Sequence, residues 1–461
     1  CLLTRKRTSP IMVRLVRWFS GQNSHVVDLL RGASIAGILK AFGAILAFGL
    51  SVVLGRVLGA EAAGVFFLAF TIATIAATIG RVGLDSAVLR LVAAGASSDS
   101  WGEVRTVYRT TLAIGTICSI AVATILYLAA DFFAASVFSD PALATPIRIM
   151  AVAVIPLSLG VLISRALQGL SRIRDSVLVF TIFPTGIALA GTWLLASEWG
   201  VNGAIVAYLI AVTAAFIYGW FVWGRAMEKS SSAFQPRKFP PPIKKLLRSG
   251  SHLLIGALLQ LVMQMSGTLM LGIWSENADV SRFAVAMRTA TLISFVLLAV
   301  NMIAQPKFAE LYARRDIESL ATTAHKATLL MTAFSAPVFL VLVFAPAFVM
   351  SIFGSDFASG AVTLQILSVG QFVNVIAGSV GVLLVMSGHE QEYRNVQILA
   401  ACVVLVLNVL LIPLYGAIGA AIAATAGVVV QNVFFAILVW TKLGILMINP
   451  RSLVQRSVDG V

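Results

Sequence analysis

The chain has 461 residues, of which 59% are hydrophobic and 11% charged, and its mean hydropathy is +0.97. Soluble domains are about 45–50% apolar and about 25% charged, so a soluble globular enzyme and a disordered chain are both excluded. A polytopic, all-α membrane protein remains. The net charge of +14 would suggest nucleic acid in a soluble protein. Here Lys and Arg occupy the short gaps between apolar runs, where they set membrane orientation, so no nucleic-acid partner is expected.

The chain begins at Cys1, and Met12 offers an alternative start that would leave residues 1–11 outside the natural protein. Arg5-Lys6-Arg7 argues against a lipoprotein-type Cys1. Residues 10–19 mix Arg14 and Arg17 with Trp18 and Phe19, as a segment lying on the membrane surface would. A spanning helix needs about 20 mostly apolar residues. Twelve stretches qualify, near 33–55, 64–89, 109–131, 145–167, 177–197, 203–224, 250–274, 281–305, 325–346, 361–386, 394–412 and 418–441. Basic residues crowd one set of alternate loops, from Arg31 through Arg105, Arg172, Arg174, the 225–248 gap, Arg314 and Arg315 to Arg451. The other set has only Arg56, Arg148 and Arg282. Both termini are therefore expected on the cytoplasmic side.

The 225–248 gap is the one long polar segment, and it divides the twelve stretches into two sets of six. The expected organisation is a cytoplasmic N-terminal segment (1–32), a six-helix bundle (33–225), a cytoplasmic linker (226–248), a second six-helix bundle (249–442) and a cytoplasmic tail (443–461). Sliding the halves supports a duplication. At an offset of 217, residues 31–90 lie over 248–307 without a gap: Arg31 meets Arg248, Leu54-Gly55 meets Leu271-Gly272, and Phe66 meets Phe283. The same offset puts Val222-Trp223 on Val439-Trp440, and Gly200–Ala204 resembles Gly416–Ala420. Six is an even number, so both copies start on one side. The expectation is two parallel six-helix repeats around a central cleft, with alternating access by rocking one bundle against the other.

Few ionisable groups fall inside the spans, where each costs a few kcal/mol and tends to face a cavity or a partner. They are Lys40, Arg81, Asp85 and Arg288. Arg81 and Asp85 are four residues apart and are expected to pair on one helix face. Ala257, Leu298 and Thr71 occupy the repeat-equivalent positions of Lys40, Arg81 and Arg288, so these charges break the repeat, which favours function over packing. Amides form a second layer: Gln260, Gln264, Asn301, Gln305, Gln371 and Asn374. Amides hydrogen-bond sugar hydroxyls, and they also hold helices together. Cys1, Cys118 and Cys402 lie far apart and the four histidines are scattered, so neither disulfide nor metal site is expected. No catalytic or nucleotide-binding motif is present, so neither an enzyme nor a cofactor is expected.

Gly55-Arg-Val-Leu-Gly59-Ala-Glu-Ala-Ala-Gly64-Val-Phe66, Val82-Gly-Leu-Asp-Ser-Ala-Val-Leu-Arg90, Gln168-Gly-Leu-Ser-Arg-Ile-Arg174 and the two Gly-x-x-Gly-Ala returns occur in this order. Together they resemble the polysaccharide transporter branch of the multidrug/oligosaccharidyl-lipid/polysaccharide exporter superfamily. The resemblance covers essentially the whole chain and rests on the order of loose patterns. It implies a flippase of the bacterial inner membrane that moves undecaprenyl-diphosphate-linked sugar repeat units from the cytoplasmic to the periplasmic leaflet, beside the polysaccharide polymerase machinery. Within the superfamily, a multidrug antiporter needs a carboxylate for its cation, and Asp85 is the one clear candidate. A peptidoglycan-precursor flippase is expected to carry more arginines. A membrane glycosyltransferase, ligase or polymerase is expected to have a long loop with catalytic groups, and no outward loop is long.

Overall fold

The computed structural model describes residues 24–228 and 243–445. The surface segment expected at 10–19, the centre of the 226–248 linker and nearly all of the 443–461 tail lie outside them. The described residues are helical nearly throughout, as lipid requires, because a backbone without water must satisfy its own hydrogen bonds. The first half consists of α1 (Ser24–Gly80), α2 (Leu84–Ser97), α3 (Trp101–Leu128), α4 (Ala144–Gly169) and α5 (Ile173–Glu228). The second consists of α6 (Ile243–Trp274), α7 (Asn277–Thr291), α8 (Phe295–Ala313), α9 (Ile317–Phe344), α10 (Ala361–Ala377), α11 (Val380–Met386) and α12 (Glu390–Leu443).

Among the described residues, nine helical segments are long and apolar enough to cross a membrane. Three of them are about twice the length of one crossing: 42 residues in α1, 56 in α5 and 54 in α12. Each is broken by a single glycine. Gly59 in α1 has φ 75° and ψ 176°, Gly200 in α5 has φ 55° and ψ −138°, and Gly416 in α12 has φ 52° and ψ −130°. A Cβ opposes such angles, so glycine is the residue that lets the chain reverse there. Gly200 and Gly416 are in the same conformation at matching places in the two halves. The counterpart of Gly59 is Glu276, 217 residues on, and Glu276 is the extended residue between α6 and α7. The turns therefore follow the sequence repeat to within one residue, Gly200 and Gly416 being 216 apart.

Some expected helices divide. The stretch expected as one helix over 64–89 ends at Gly80 and restarts at Leu84, because Val82 (φ 49°) and Gly83 (φ 70°) take left-handed conformations. The stretch expected over 361–386 divides at Gly378 (φ 73°). The apolar run at 281–305 starts earlier, at Asn277, tightens to a 3-10 turn at Leu292–Ser294 and runs on to Ala313.

Small residues hold the bundle together. Ala63, Ala69, Ala73 and Ala77 of α1 are fully buried, which lets helices approach closely where lipid offers no hydrophobic drive to associate. The outward surface is large and apolar, with Trp193, Trp220, Phe221, Phe344 and Leu414 among the exposed side chains. Polar side chains cap helix ends outside the apolar band. Asp316 accepts from the Ser319 N–H (3.0 Å) at the start of α9, and that bond holds its carboxyl below the usual carboxylate range.

The two halves meet tightly at the Gly59 end. The Ala278 N–H donates to Glu61 Oε2 (3.1 Å), and these two residues are repeat equivalents, 217 apart. Asn277 Nδ2 donates to Asp140 Oδ2 (2.9 Å), and Arg56 Nε donates to the Ile352 carbonyl (2.8 Å). Gly64 lies against the Asn277 carbonyl so closely that a Cβ would overlap it, and Gly55 lies likewise against Phe353.

Candidate functional site

Arg288 lies between two cavities of different chemistry and lines both. It is carried on α7, twelve residues past the Glu276 turn, about 18 Å along a helix axis. That is deeper than the two turns that separate Arg288 from residue 281, where the apolar run begins, and it is close to half of a bilayer core about 30 Å thick. Its guanidinium carbon lies over the Phe67 ring at 4.6 Å and near the Phe70 ring at 5.4 Å. Its Nη1 donates to Ser51 Oγ (3.2 Å). All three contacts are to α1, so a side chain of the second half is directed at the first. Thr71, the repeat equivalent of Arg288, lines the same second-half cavity.

The first cavity, about 330 Å3, is in the first half. Its walls include Phe66 and Phe70, which stack, and Tyr208, whose ring packs edge-on against both. Its charged lining is Arg81, Asp85, Arg165 and Arg288. Arg81 and Asp85 pair as expected, at 4.0 Å between Nε and Oδ2, although a turn rather than a continuous helix joins them. Arg81 Nη2 donates to Thr78 Oγ1 (2.8 Å), and its buried Nε has no hydrogen-bond partner. Counted from the Gly59 turn, Lys40 lies about 28 Å away on the first limb of α1 and Arg81 about 33 Å away on the second. Arg165 lies about 32 Å from the start of α4 at that same end. Three cations from three helical limbs thus lie at similar distances, about 28–33 Å, from the Gly59 end. Lys40 is half-buried and does not line the cavity.

The second cavity, about 480 Å3, is lined mostly by the second half, with Phe67, Phe70 and Thr71 of α1 completing its wall. Gln260 and Gln264 of α6 are exposed on one face, one turn apart, and both line it. Gln371 and Asn374 of α10 line it too, as do Gln397 and Gln431 of α12. A third cavity of about 300 Å3 adjoins, sharing Asn374, Tyr393 and Gln431 and adding Asn301, Gln305 and Asn432. The amides are held in place. Ser294 Oγ donates to Gln371 Oε1 (2.6 Å), Asn432 Nδ2 donates to Asn374 Oδ1 (3.0 Å), and Ser379 Oγ donates to Asn301. Gln397 Nε2 donates to Tyr393 Oη (2.9 Å), while the buried Gln397 Oε1 has no partner.

Every expected site residue except Lys40 therefore lines a cavity, with the ionisable groups gathered on one side of Arg288 and the amides on the other. Arg165, Tyr208, Tyr393, Gln397, Gln431 and Asn432 join them from outside the expected set. Gln397 and Gln431 carry the same signal as the others, an amide within an apolar run.

A family model described as "Polysaccharide biosynthesis protein" matches residues 29–312, and the MatE family model matches residues 253–415. No curated protein matches the chain in a sequence search. Among solved structures, an inward-facing multidrug resistance MATE family transporter of the MOP superfamily is similar at TM-score 0.69 and 16% identity, over 87% of this chain and 94% of that one. The lipid II flippase MurJ, in an inward closed conformation, is similar at TM-score 0.69 and 14% identity, over 88% and 87%. A MOP superfamily transporter from Pyrococcus furiosus, described as having a binding pocket of reversed polarity, is similar at TM-score 0.62 and 18% identity, over 92% and 96%. These likenesses show one shared fold.

Proposed function

Because the chain belongs to the polysaccharide biosynthesis protein family of the MOP superfamily, we propose that this multi-pass membrane transporter is a flippase for lipid-linked oligosaccharides, undecaprenyl-diphosphate-linked repeat units above all. One observation carries the reading: a cationic cavity and an amide-lined cavity meet at a single arginine. A cargo with a diphosphate next to sugars has the same order of chemistry. Arginine suits the diphosphate, because its planar fork can grip phosphate oxygens bidentately. Amides suit the sugars, because each offers both a donor and an acceptor. The polyprenyl tail stays in lipid.

Counting each of the three broken helices as two crossings gives twelve, with both termini in the cytoplasm and the Gly59 end facing the periplasm. Lys40, Arg81 and Arg165 then ring the cytoplasmic mouth. The diphosphate meets that ring first and Arg288 second, about half a membrane further in. Two weaker stations lower the barrier to crossing without one site holding the cargo too long. Closure at the Gly59 end belongs to the state that loads from the cytoplasm, and rocking the halves apart there releases the cargo. The chemistry here is binding and reorientation of the cargo, with no covalent step.

The MatE match and Asp85 favour a second reading, export of cationic compounds. The lining opposes it, since Asp85 is outnumbered by Arg81, Arg165 and Arg288. Deleting the gene separates the two. The expected result is lipid-linked repeat units accumulating on the cytoplasmic leaflet and loss of surface polymer. Normal polymer together with new sensitivity to cationic dyes would establish the exporter instead.

A further inference from the structure

We propose that the second-half cavities select repeat units whose sugars are uncharged, so that the diphosphate is the only anionic part of the cargo. The proposal rests on the flippase reading above and names the class of glycan that this site accepts. Among the described residues, the lining of these two adjoining cavities consists of amides, hydroxyls, thioethers, apolar side chains and aromatic rings, with Arg288 as its one charged group. That charge stands where the first and second cavities join, and under the flippase reading the diphosphate engages it, so no cation remains for the sugars. The Arg288 Nη1 is bonded to Ser51 and its guanidinium lies over Phe67 and Phe70, all on the first half.

The hydrogen-bonding capacity of the walls points the same way. A sugar hydroxyl both donates and accepts, whereas an ionised carboxylate only accepts. Gln397 Oε1 is a buried acceptor without a donor, and the Gln397 residue is 8% exposed. Gln260 and Gln264, open to the cavity, present carbonyl oxygens that a carboxylate cannot use. Amide N–H groups without a cation do not offset the hydration that an ionised group loses on entering such a site. Discrimination therefore comes from what the wall withholds as much as from what it offers.

The test uses the full chain in liposomes and three synthetic undecaprenyl-diphosphate trisaccharides. They end in a hexose, in the corresponding hexuronic acid, or in its uronamide, which keeps the shape of the acid without its charge. Transport is read as loss of cargo from the leaflet that a membrane-impermeant periodate reaches. The hexose and uronamide cargoes are expected to move at similar rates, and at least about tenfold faster than the uronic acid. Gln264→Arg is expected to raise the rate of the acidic cargo relative to that of the hexose cargo, and an unchanged ratio would count against the proposal. Equal rates for all three cargoes would overturn the proposal and leave the flippase reading standing. So would a uronamide as slow as the acid, since shape rather than charge would then be what the site senses. If none of the three moves faster than in protein-free liposomes, the flippase reading itself fails, and the proposal with it.

Discussion

Before any cargo arrives, the Arg288 guanidinium is held over Phe67, near Phe70 and against Ser51. Contacts of this kind fix its plane and leave the remaining N–H groups for an anion. Replacing Arg288 by Ala should cut transport by about 10–100-fold, since hydrogen bonds to charged groups contribute about 1.5–3 kcal/mol. Lys should restore part of the rate, because it keeps the charge and loses the fork. Glu should be worst, since it repels phosphate. The measurement is lipid-linked cargo moved per molecule of protein found in the membrane fraction. Unimpaired export by a normally accumulating Arg288→Glu protein would leave packing on Phe67 and Phe70 as the role of this residue. Arg288 is legible in the sequence because an arginine inside an apolar run has little other reason to be there. Arg165 is harder to read, since it lies only a few residues before Arg172 and Arg174, which set orientation. That Arg288 stacks on the first half was not legible at all, because only the approach of the two halves brings α7 against α1.

The helices themselves can be read from runs of about 20 apolar residues, and the structure keeps those runs helical. Their ends are less legible. The 197–203 and 412–418 gaps look like loops, yet in each only one glycine leaves helical backbone angles. The break at 81–83 lies within an apolar stretch and follows from the backbone freedom of Gly83, which no hydrophobic pattern records. The paired breaks at Gly200 and Gly416 separate two costs. A Cβ on Gly200 meets nothing within 4 Å, whereas one on Gly416 comes 2.7 Å from Asp279 Oδ2. Asp279 is itself tied to Arg282 at 3.1 Å, so moving it disturbs an ion pair. Gly200→Ala should therefore cost only the backbone conformation, about 1–3 kcal/mol. Gly416→Ala should cost measurably more. Thermal unfolding in detergent, followed by tryptophan fluorescence, should show a larger drop in midpoint for Gly416→Ala, and the reverse order would contradict the packing described.

At the scale of the molecule, the two halves turn at corresponding places and differ in their linings. Equivalent positions meet where the halves touch, as Glu61 and Ala278 do through one hydrogen bond. If transport requires the halves to part at the Gly59 end, a bridge across that pair should stop it. Glu61→Cys with Ala278→Cys, in a protein whose Cys1, Cys118 and Cys402 are replaced by Ser, should lose transport on treatment with a short bifunctional thiol reagent. Each single-cysteine protein should retain most of its rate after the same treatment. Full activity in a protein shown by mass spectrometry to carry the bridge would rule out opening at this end.

The Gly64 contact has a consequence for how states are shared at rest. Bare backbone meets bare backbone there, so the width of the side chain at position 64 sets how nearly the halves can close. Each added methyl group acts as a wedge that raises the share of molecules open at that end. Apparent affinity on the opposite face falls with the fraction still competent to bind. Too wide a wedge starves loading, whereas a more adhesive seam would delay release. Position 64 thus tunes turnover from outside either cavity, by dividing the time the protein spends facing each side of the membrane.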